Sequence, residues 1–325
     1  MPPLMGAGAF VMVELTGIPY TGIMAAALLP ALLYFSTAWI GIDAFSRRYE
    51  LPALPADQQP DRRRVLTTLV FFLLPFLVLL CGMFLLGYTP QYAACMATLA
   101  AAILLITDTR ATLDWRRFIS RVQQACLTAG AQIATIAAII LCASIIIGVL
   151  GATGLGVKIT SLILSGSNGL LWPALGLTAV ACLLLGMEVP TTAAYVICVS
   201  VAGPALQQLG LSALQAHLFI FWFALLSTIT PPVCGAVFIA AGMVQENWLK
   251  VALFAMALGV GLYIIPLAMI SKPALLELTQ STSAALLSAA IVAIGLAMLS
   301  YGAIAPWRWW LRTTLITGGL LLIFM

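Results

Sequence analysis

The sequence predicts an all-α protein, a polytopic membrane bundle in which some helices are discontinuous. Three observations lead there. First, 63% of the 325 residues are hydrophobic and only 7% are charged, against roughly 25% charged in ordinary soluble domains. A soluble fold needs enough charge to cover its outside, so a mean hydropathy of +1.13 means that the outside is itself apolar. Second, apolar stretches such as Val65 to Leu86 run unbroken over the roughly 20 residues that a helix needs to cross hydrocarbon, whereas barrel strands would alternate polar and apolar residues. Third, 26 glycines and 17 prolines are spread through the chain, as expected where helices are interrupted.

Taken in order, spans are predicted near residues 19–41, 65–87, 91–107, 126–150, 169–186, 249–270, 284–305 and 309–325. A polar basic loop, 42–64, follows the first and holds Arg47, Arg48, Arg62, Arg63 and Arg64; within it, Leu51 to Pro60 reads as a solvated linker. A second basic stretch, 108–124, holds Arg110, Arg116, Arg117 and Arg121. There Trp115, Phe118, Ile119 and Val122 are spaced for a short helix lying at the membrane interface. Basic loops face the cytoplasm, and the two spans between them carry the chain out and back. Contact with anionic lipid is the ordinary reading of these arginines, and nothing in the net charge of +4 points to nucleic acid.

Other signals are negative. The seven cysteines lie inside apolar runs with no C-x-x-C spacing, so they read as small hydrophobes without a metal or disulfide framework. Gly151, Gly154 and Gly156 have the wrong spacing and context for a dinucleotide and read as a turn. No H-E-x-x-H, G-x-S-x-G or pair of intramembrane carboxylates is present. Met1 to Gly6 lacks the charged start of a signal peptide and reads as interior sequence.

Residues 187–248 are apolar but interrupted at Glu188-Val189-Pro190-Thr191-Thr192, at Gly203-Pro204 and at Thr230-Pro231-Pro232, and are expected to form broken helices. Proline has no N–H, so Pro231 and Pro232 release the carbonyls of Ser227 and Thr228, and Pro190 releases that of Gly186. An unpaired carbonyl facing lipid costs several kcal/mol, so broken backbone at this depth is buried or lines a wet cavity. Neutral oxygens at a helix break suit a small hard cation; simple kinks repaired by neighbouring Ser and Thr are the alternative. Glu188 is the sole formal charge between Ile159 and Gln245 and is a candidate cation ligand, proton carrier or helix cap. His217, the sole histidine, reads as interfacial or internally satisfied, with a ligand role as the other possibility.

The chain also repeats itself. Displaced by 229 residues, Pro2, Pro3, Gly6 and Ala7 fall on Pro231, Pro232, Gly235 and Ala236, and Tyr34 falls on Tyr263. Matching interruptions in two halves of a membrane protein point to a transporter's substrate and ion site.

The strings Pro2 to Glu14, Leu185 to Val196 and Thr230 to Ala236 resemble the fused permease of TAXI-type TRAP transporters, with a likeness running from residue 1 to about 275. The resemblance implies a sodium-driven secondary transporter of the bacterial inner membrane, moving a small organic anion of the carboxylate type that a periplasmic substrate-binding protein delivers. It implies two inverted repeats, each with a re-entrant hairpin, and an elevator motion. Residues 1–275 would be the large permease domain without the start of its first repeat, and 276–325 additional membrane helices. Because the first P-P-x-x-G-A opens the chain, the sequence is expected to correspond to the C-terminal portion of such a permease. Within 169–245, Gly186 to Tyr195 would form the hairpin turn and Ser227 to Gly235 the unwound helix facing it. The cation site is then expected at Gly186, Thr191, Thr192, Ser227, Thr228 and Thr230. Glu188, Pro190, Tyr195, Pro231, Pro232 and Gly235 would bind substrate or shape the site. No cofactor is expected beyond the coupling ion. Two alternatives stand beside this one: a non-transporting scaffold or fragment, and a membrane-embedded enzyme using Glu188 and His217 within hydrogen-bond reach of each other.

Overall fold

The computed structural model describes residues 6–51, 61–106, 115–187, 189, 191–232 and 234–325. Among these residues the regular structure is entirely helical, as the composition requires of a chain whose backbone must satisfy itself in lipid. Two compact units emerge, one of Met1–Leu51 with Ile139–Met325 and one of Pro52–Ala138.

The smaller unit contains α3 (Arg62–Phe84), α4 (Pro90–Ile106) and the opening of α5 (Trp115–Thr153). Helices α3 and α4 pair closely because Gly82 leaves room for Ala93, whose Cβ would stand 3.2 Å from any Cβ added there. Gly87, at φ +65°, supplies the left-handed step between them. The short helix expected at 114–124 is instead the first part of the 39-residue α5. Nothing between Trp115 and Gln124 caps or breaks a helix, so it propagates into the apolar run that follows.

The larger unit begins with α1 (Gly6–Thr16) and α2 (Tyr20–Arg48) and resumes within α5. It continues through α6 (Leu155–Gly166), α7 (Leu171–Leu185), α8 (Thr191–Gln208), α9 (Ala213–Leu226), α10 (Gly235–Val244), α11 (Trp248–Leu258) and α12 (Val260–Ser271). A 3-10 turn at Pro273–Leu276 leads to α13 (Thr282–Ile304) and α14 (Trp309–Phe324). Of these, α2 and α13 are each long and apolar enough to cross a membrane. The glycine-rich turn is found at Gly154, which takes φ +64° between α5 and α6, while Gly151 and Gly156 are helical.

At the centre lies α9, buried over nearly its whole length from Ala216 to Leu226. Such a helix shows no polar face, which is why its sequence carries no amphipathic period. It starts at a capping box in which Ser212 Oγ accepts from the Gln215 backbone N–H and the Gln215 side chain accepts from the Ser212 N–H. Helices α1, α7, α8 and α12 pack around it. Gly8 of α1 admits the Phe221 ring so closely that a Cβ there would lie 2.6 Å from it.

Two expected features differ from the sequence reading. Gly203-Pro204 does not interrupt a helix, since α8 runs through Pro204 to Gln208. Pro204 withholds a donor from Ser200, but α6 supports this region: Gly156 brings its backbone against the Ser200 carbonyl, and Thr160 Oγ1 donates to the Val201 carbonyl at 3.1 Å. Conversely, 249–270 is not one continuous helix. Gly259 divides it into α11 and α12, and α10 and α11 bend by 117° about Gln245.

The described residues that follow the two prolines of each P-P-x-x-G-A copy share local structure. Gly6 opens α1 and Gly235 opens α10, and each short helix is followed by a left-handed residue, Gly17 at φ +68° or Gln245 at φ +54°. Pro30 sits within an unbroken α2, whereas its counterpart Gly259 is the break.

Helices α13 and α14 form an antiparallel hairpin that packs on α2. Glycines set its spacing: a Cβ at Gly295 would meet Ile323 at 2.5 Å, and one at Gly319 would meet the Gly295 carbonyl oxygen at 2.7 Å. Because the latter neighbour is backbone, Gly319→Ala is expected to force the helices apart and destabilise the protein by about 1–3 kcal/mol. Thermal unfolding in detergent, compared with Gly318→Ala, whose nearest neighbour is the tip of the Met298 side chain, is the measurement.

Candidate cation and substrate site

The end of α9 meets the turn between α7 and α8. The turn exists because α7 stops at Leu185 and α8 restarts at Thr191, only 15 residues of helix having preceded it. At 1.5 Å per residue α7 rises about 22 Å, short of the roughly 30 Å of hydrocarbon. Gly186 closes α7, its N–H donating to the Cys182 carbonyl at 3.0 Å. The other arm returns alongside, where Cys198 Sγ lies 3.8 Å from that same Cys182 carbonyl oxygen.

Ser227 joins this turn to α9. Its hydroxyl lies 2.8 Å from the Gly186 carbonyl oxygen and 2.7 Å from that of Ala224, with one proton to serve both. The approach depends on glycine, because a Cβ at position 186 would stand 2.7 Å from Ser227 Oγ. The carbonyl that Pro190 is expected to release is thus the one that receives Ser227.

Beyond Ser227 the helix unwinds until Gly235 begins α10. The last carbonyls of α9 lose their regular helical partners there, although the Thr228 and Ile229 N–H groups still reach those of Leu225 and Leu226 at 3.3 and 3.1 Å. Hydroxyls meet them in sequence: Ser227 reaches Ala224, Thr228 donates to Leu225 at 2.8 Å, and Thr230 donates to Leu226 at 2.6 Å. The repair by neighbouring Ser and Thr that the sequence left open therefore does occur, for the carbonyls of α9. It does not extend to the two carbonyls that the prolines release. Among the described residues, none donates to the carbonyl of Ser227 or of Thr228. Pro231 and Pro232, joined by a cis peptide bond, occupy the turn that follows.

Two residues outside the expected set hold this segment. Tyr263 of α12 places its hydroxyl 2.7 Å from Thr230 Oγ1. With the Thr230 proton directed at Leu226, the phenol is the donor. Ile229 rests on the α11–α12 break, 3.3 Å from where a Cβ on Gly259 would be. Tyr263 was visible only as the repeat partner of Tyr34; nothing in its own neighbourhood marks it.

The remaining expected residues fall as follows. Thr191 and Thr192 open α8, half-buried, and no hydrogen bond among the described residues joins them to 227–232. Tyr195 is wholly buried one turn further on. Its hydroxyl lies 2.7 Å from His217 Nδ1, and its ring meets Phe221 edge to face at 5.3 Å. His217 is thus an internally satisfied histidine tying α8 to α9. Glu188 and Pro190 lie outside the described residues, and with them the Glu188–His217 approach that the enzyme alternative requires. No group of three or more His, Cys, Asp or Glu side chains among the described residues could hold a metal ion. What the segment offers is neutral oxygen.

Replacing Ser227 by Ala strips the buried Gly186 carbonyl of its side-chain donor and is expected to cost about 1–3 kcal/mol. Because the two groups touch, Gly186→Ala combined with Ser227→Ala is expected to depart from additivity by at least about 0.5 kcal/mol in a double-mutant cycle of thermal unfolding. Tyr195→Phe, which leaves His217 Nδ1 buried without its partner, is expected to lower stability by a similar amount in the same assay.

Comparison with curated proteins returned no match. A family-wide sequence profile described as "Tripartite ATP-independent periplasmic transporter, DctM component" matches residues 1–284, which take in the hairpin, the unwound segment and both P-P-x-x-G-A copies. The chain belongs to the DctM component family of tripartite ATP-independent periplasmic transporters.

Proposed function

We propose that the α7–α8 turn and the unwound segment after α9 form one half-site of a sodium-coupled secondary transporter. It moves a small organic anion of the carboxylate type across the bacterial inner membrane, and a periplasmic binding protein delivers that substrate. The observation that carries this reading is the pair of released carbonyls at Ser227 and Thr228, toward which no described residue directs a donor. Beside them the threonine hydroxyls send their protons back into α9, so that the oxygens bordering the segment have only lone pairs left to offer. A hard monovalent cation is the partner such oxygens suit, and the C-terminal, negative end of α9 adds to the attraction. Gly186, Thr191, Thr192, Ser227, Thr228 and Thr230 are the residues assigned to it. Glu188, Pro190, Pro231, Pro232, Gly235 and Tyr195 are assigned to substrate contact or to holding the shape. Sodium binding ahead of the anion would supply the positive charge that a carboxylate needs in a region where the described residues carry none.

The test is uptake by the complete transporter reconstituted with its binding protein. Transport is expected to follow an imposed sodium gradient and to fall to background when potassium replaces sodium on both sides. Pro231→Ala with Pro232→Ala restores N–H donors to the released carbonyls, and is expected to raise the sodium concentration for half-maximal uptake about tenfold or more, a loss of about 1.4 kcal/mol. Uptake indifferent to sodium would remove the coupling; unchanged sodium dependence in the proline variant would remove the carbonyls from it.

A further inference from the structure

One end of the larger unit gathers charge and aromatic rings that the transport site does not use. Helix α2 ends there with Arg47 and Arg48. Helix α11 runs antiparallel to it, since Gly41 lies against Leu258 and the Phe45 ring meets that of Phe254 at 5.3 Å. The start of α11, with Trp248 and Lys250, therefore points to the same end. The α13–α14 turn joins them: Arg48 Nη1 donates to the Ile304 carbonyl at 2.9 Å, and the Tyr301 hydroxyl donates to Asp43 Oδ2 at 2.8 Å. Arg312 caps the same helix end, donating to the carbonyls of Gly302 and Ala303 at 2.9 and 2.7 Å.

These contacts commit most of the cations. Arg47 pairs with Asp43 at 3.0 Å, Lys250 pairs with Glu246 at 3.1 Å, and Arg48 and Arg312 hold carbonyls. Arg308 is different. It is exposed and has no ion-pair partner among the described residues, and it sits in the run Trp307-Arg308-Trp309-Trp310. Trp309 is 78% exposed and Trp307 and Trp310 are each 46% exposed. Trp307 is held in place by stacking on Tyr301 at 5.7 Å. The opposite end of the unit, where Ser271 approaches Ile323, carries Lys272 and Glu277 and no comparable excess of cations among the described residues.

We propose that the α13–α14 turn, with the end of α2, is a binding surface for the headgroups of anionic phospholipids. Tryptophan concentrates at the headgroup level of a bilayer because its ring is apolar and its N–H is polar. The turn thus lies at the depth of the lipid phosphates, with one uncommitted guanidinium between exposed rings. The cation excess at this end puts it on the side where basic loops gather, next to the anionic leaflet. Residues 307–312 fall outside the 1–284 match, so the part of this surface that the α13–α14 turn supplies lies beyond the matched region.

The test uses the full chain in nanodiscs of phosphatidylcholine containing a minor share of phosphatidylglycerol, with the lipids retained after extraction counted by native mass spectrometry. Phosphatidylglycerol is expected to be retained in preference to phosphatidylcholine. Arg308→Gln is expected to weaken that retention about fivefold, the factor for one cation near an anionic surface. Arg308→Lys is expected to preserve it, since a point charge suffices. Because Arg308 is exposed and unpaired, Arg308→Gln is expected to unfold at the parent's temperature in pure phosphatidylcholine, which separates lost binding from lost fold. Equal retention of the two lipids by the parent, or undiminished phosphatidylglycerol retention by Arg308→Gln, overturns the proposal.

Discussion

In lipid no solvent is present to receive a carbonyl that its own helix has abandoned, and that constraint organises the larger unit. Each interior proline withholds one donor, and the surroundings answer differently. At Pro204 a neighbouring helix packs close: α6, thinned by Gly156, lies against the Ser200 carbonyl, and its Thr160 donates to the next one, that of Val201. At the end of α9 the chain answers with its own hydroxyls, one for each of three successive carbonyls. At Ser227 and Thr228 the described residues direct no donor at the carbonyl oxygens.

This is also why the sequence could be read so far and no further. Helical class, bilayer setting and the interruption at Thr230-Pro231-Pro232 follow from composition and from a donor that proline lacks. Gly203-Pro204 looked the same locally, yet α8 runs through it, packed on α6 residues some forty positions upstream that no window around it contains. Gly259 failed in the opposite sense: a single glycine in an apolar run seldom ends a helix, and here it does so where Ile229 presses against it. Within the candidate site, Ser227 and Gly186 were both legible as sources of released carbonyls. That the two would bond to each other, and that Tyr263 would hold Thr230, depends on how distant helices pack.

The repeat illustrates the same point within one chain. Gly6 and Gly235 both open short helices closed by left-handed residues, so the local program is shared. Its continuation is not: α2 stays whole through Pro30, while α11 and α12 part at Gly259. Tyr34 and Tyr263, equivalent in register, have diverged accordingly. One meets the Trp222 ring edge on at 6.4 Å, and the other holds a threonine of the unwound segment.

The hairpin of α13 and α14 bears on what counts as a unit of this protein. The family profile matches residues up to 284, yet α2 makes contacts beyond that point: Asp43 with Tyr301, Arg48 with the end of α13, and its long face with α13. A chain cut where the family match stops would expose that face and take the Tyr301 hydroxyl from Asp43 and the Ile304 carbonyl from Arg48. A minimal version of this protein therefore has to be bounded by its contacts, which run past the last residue that the profile matches.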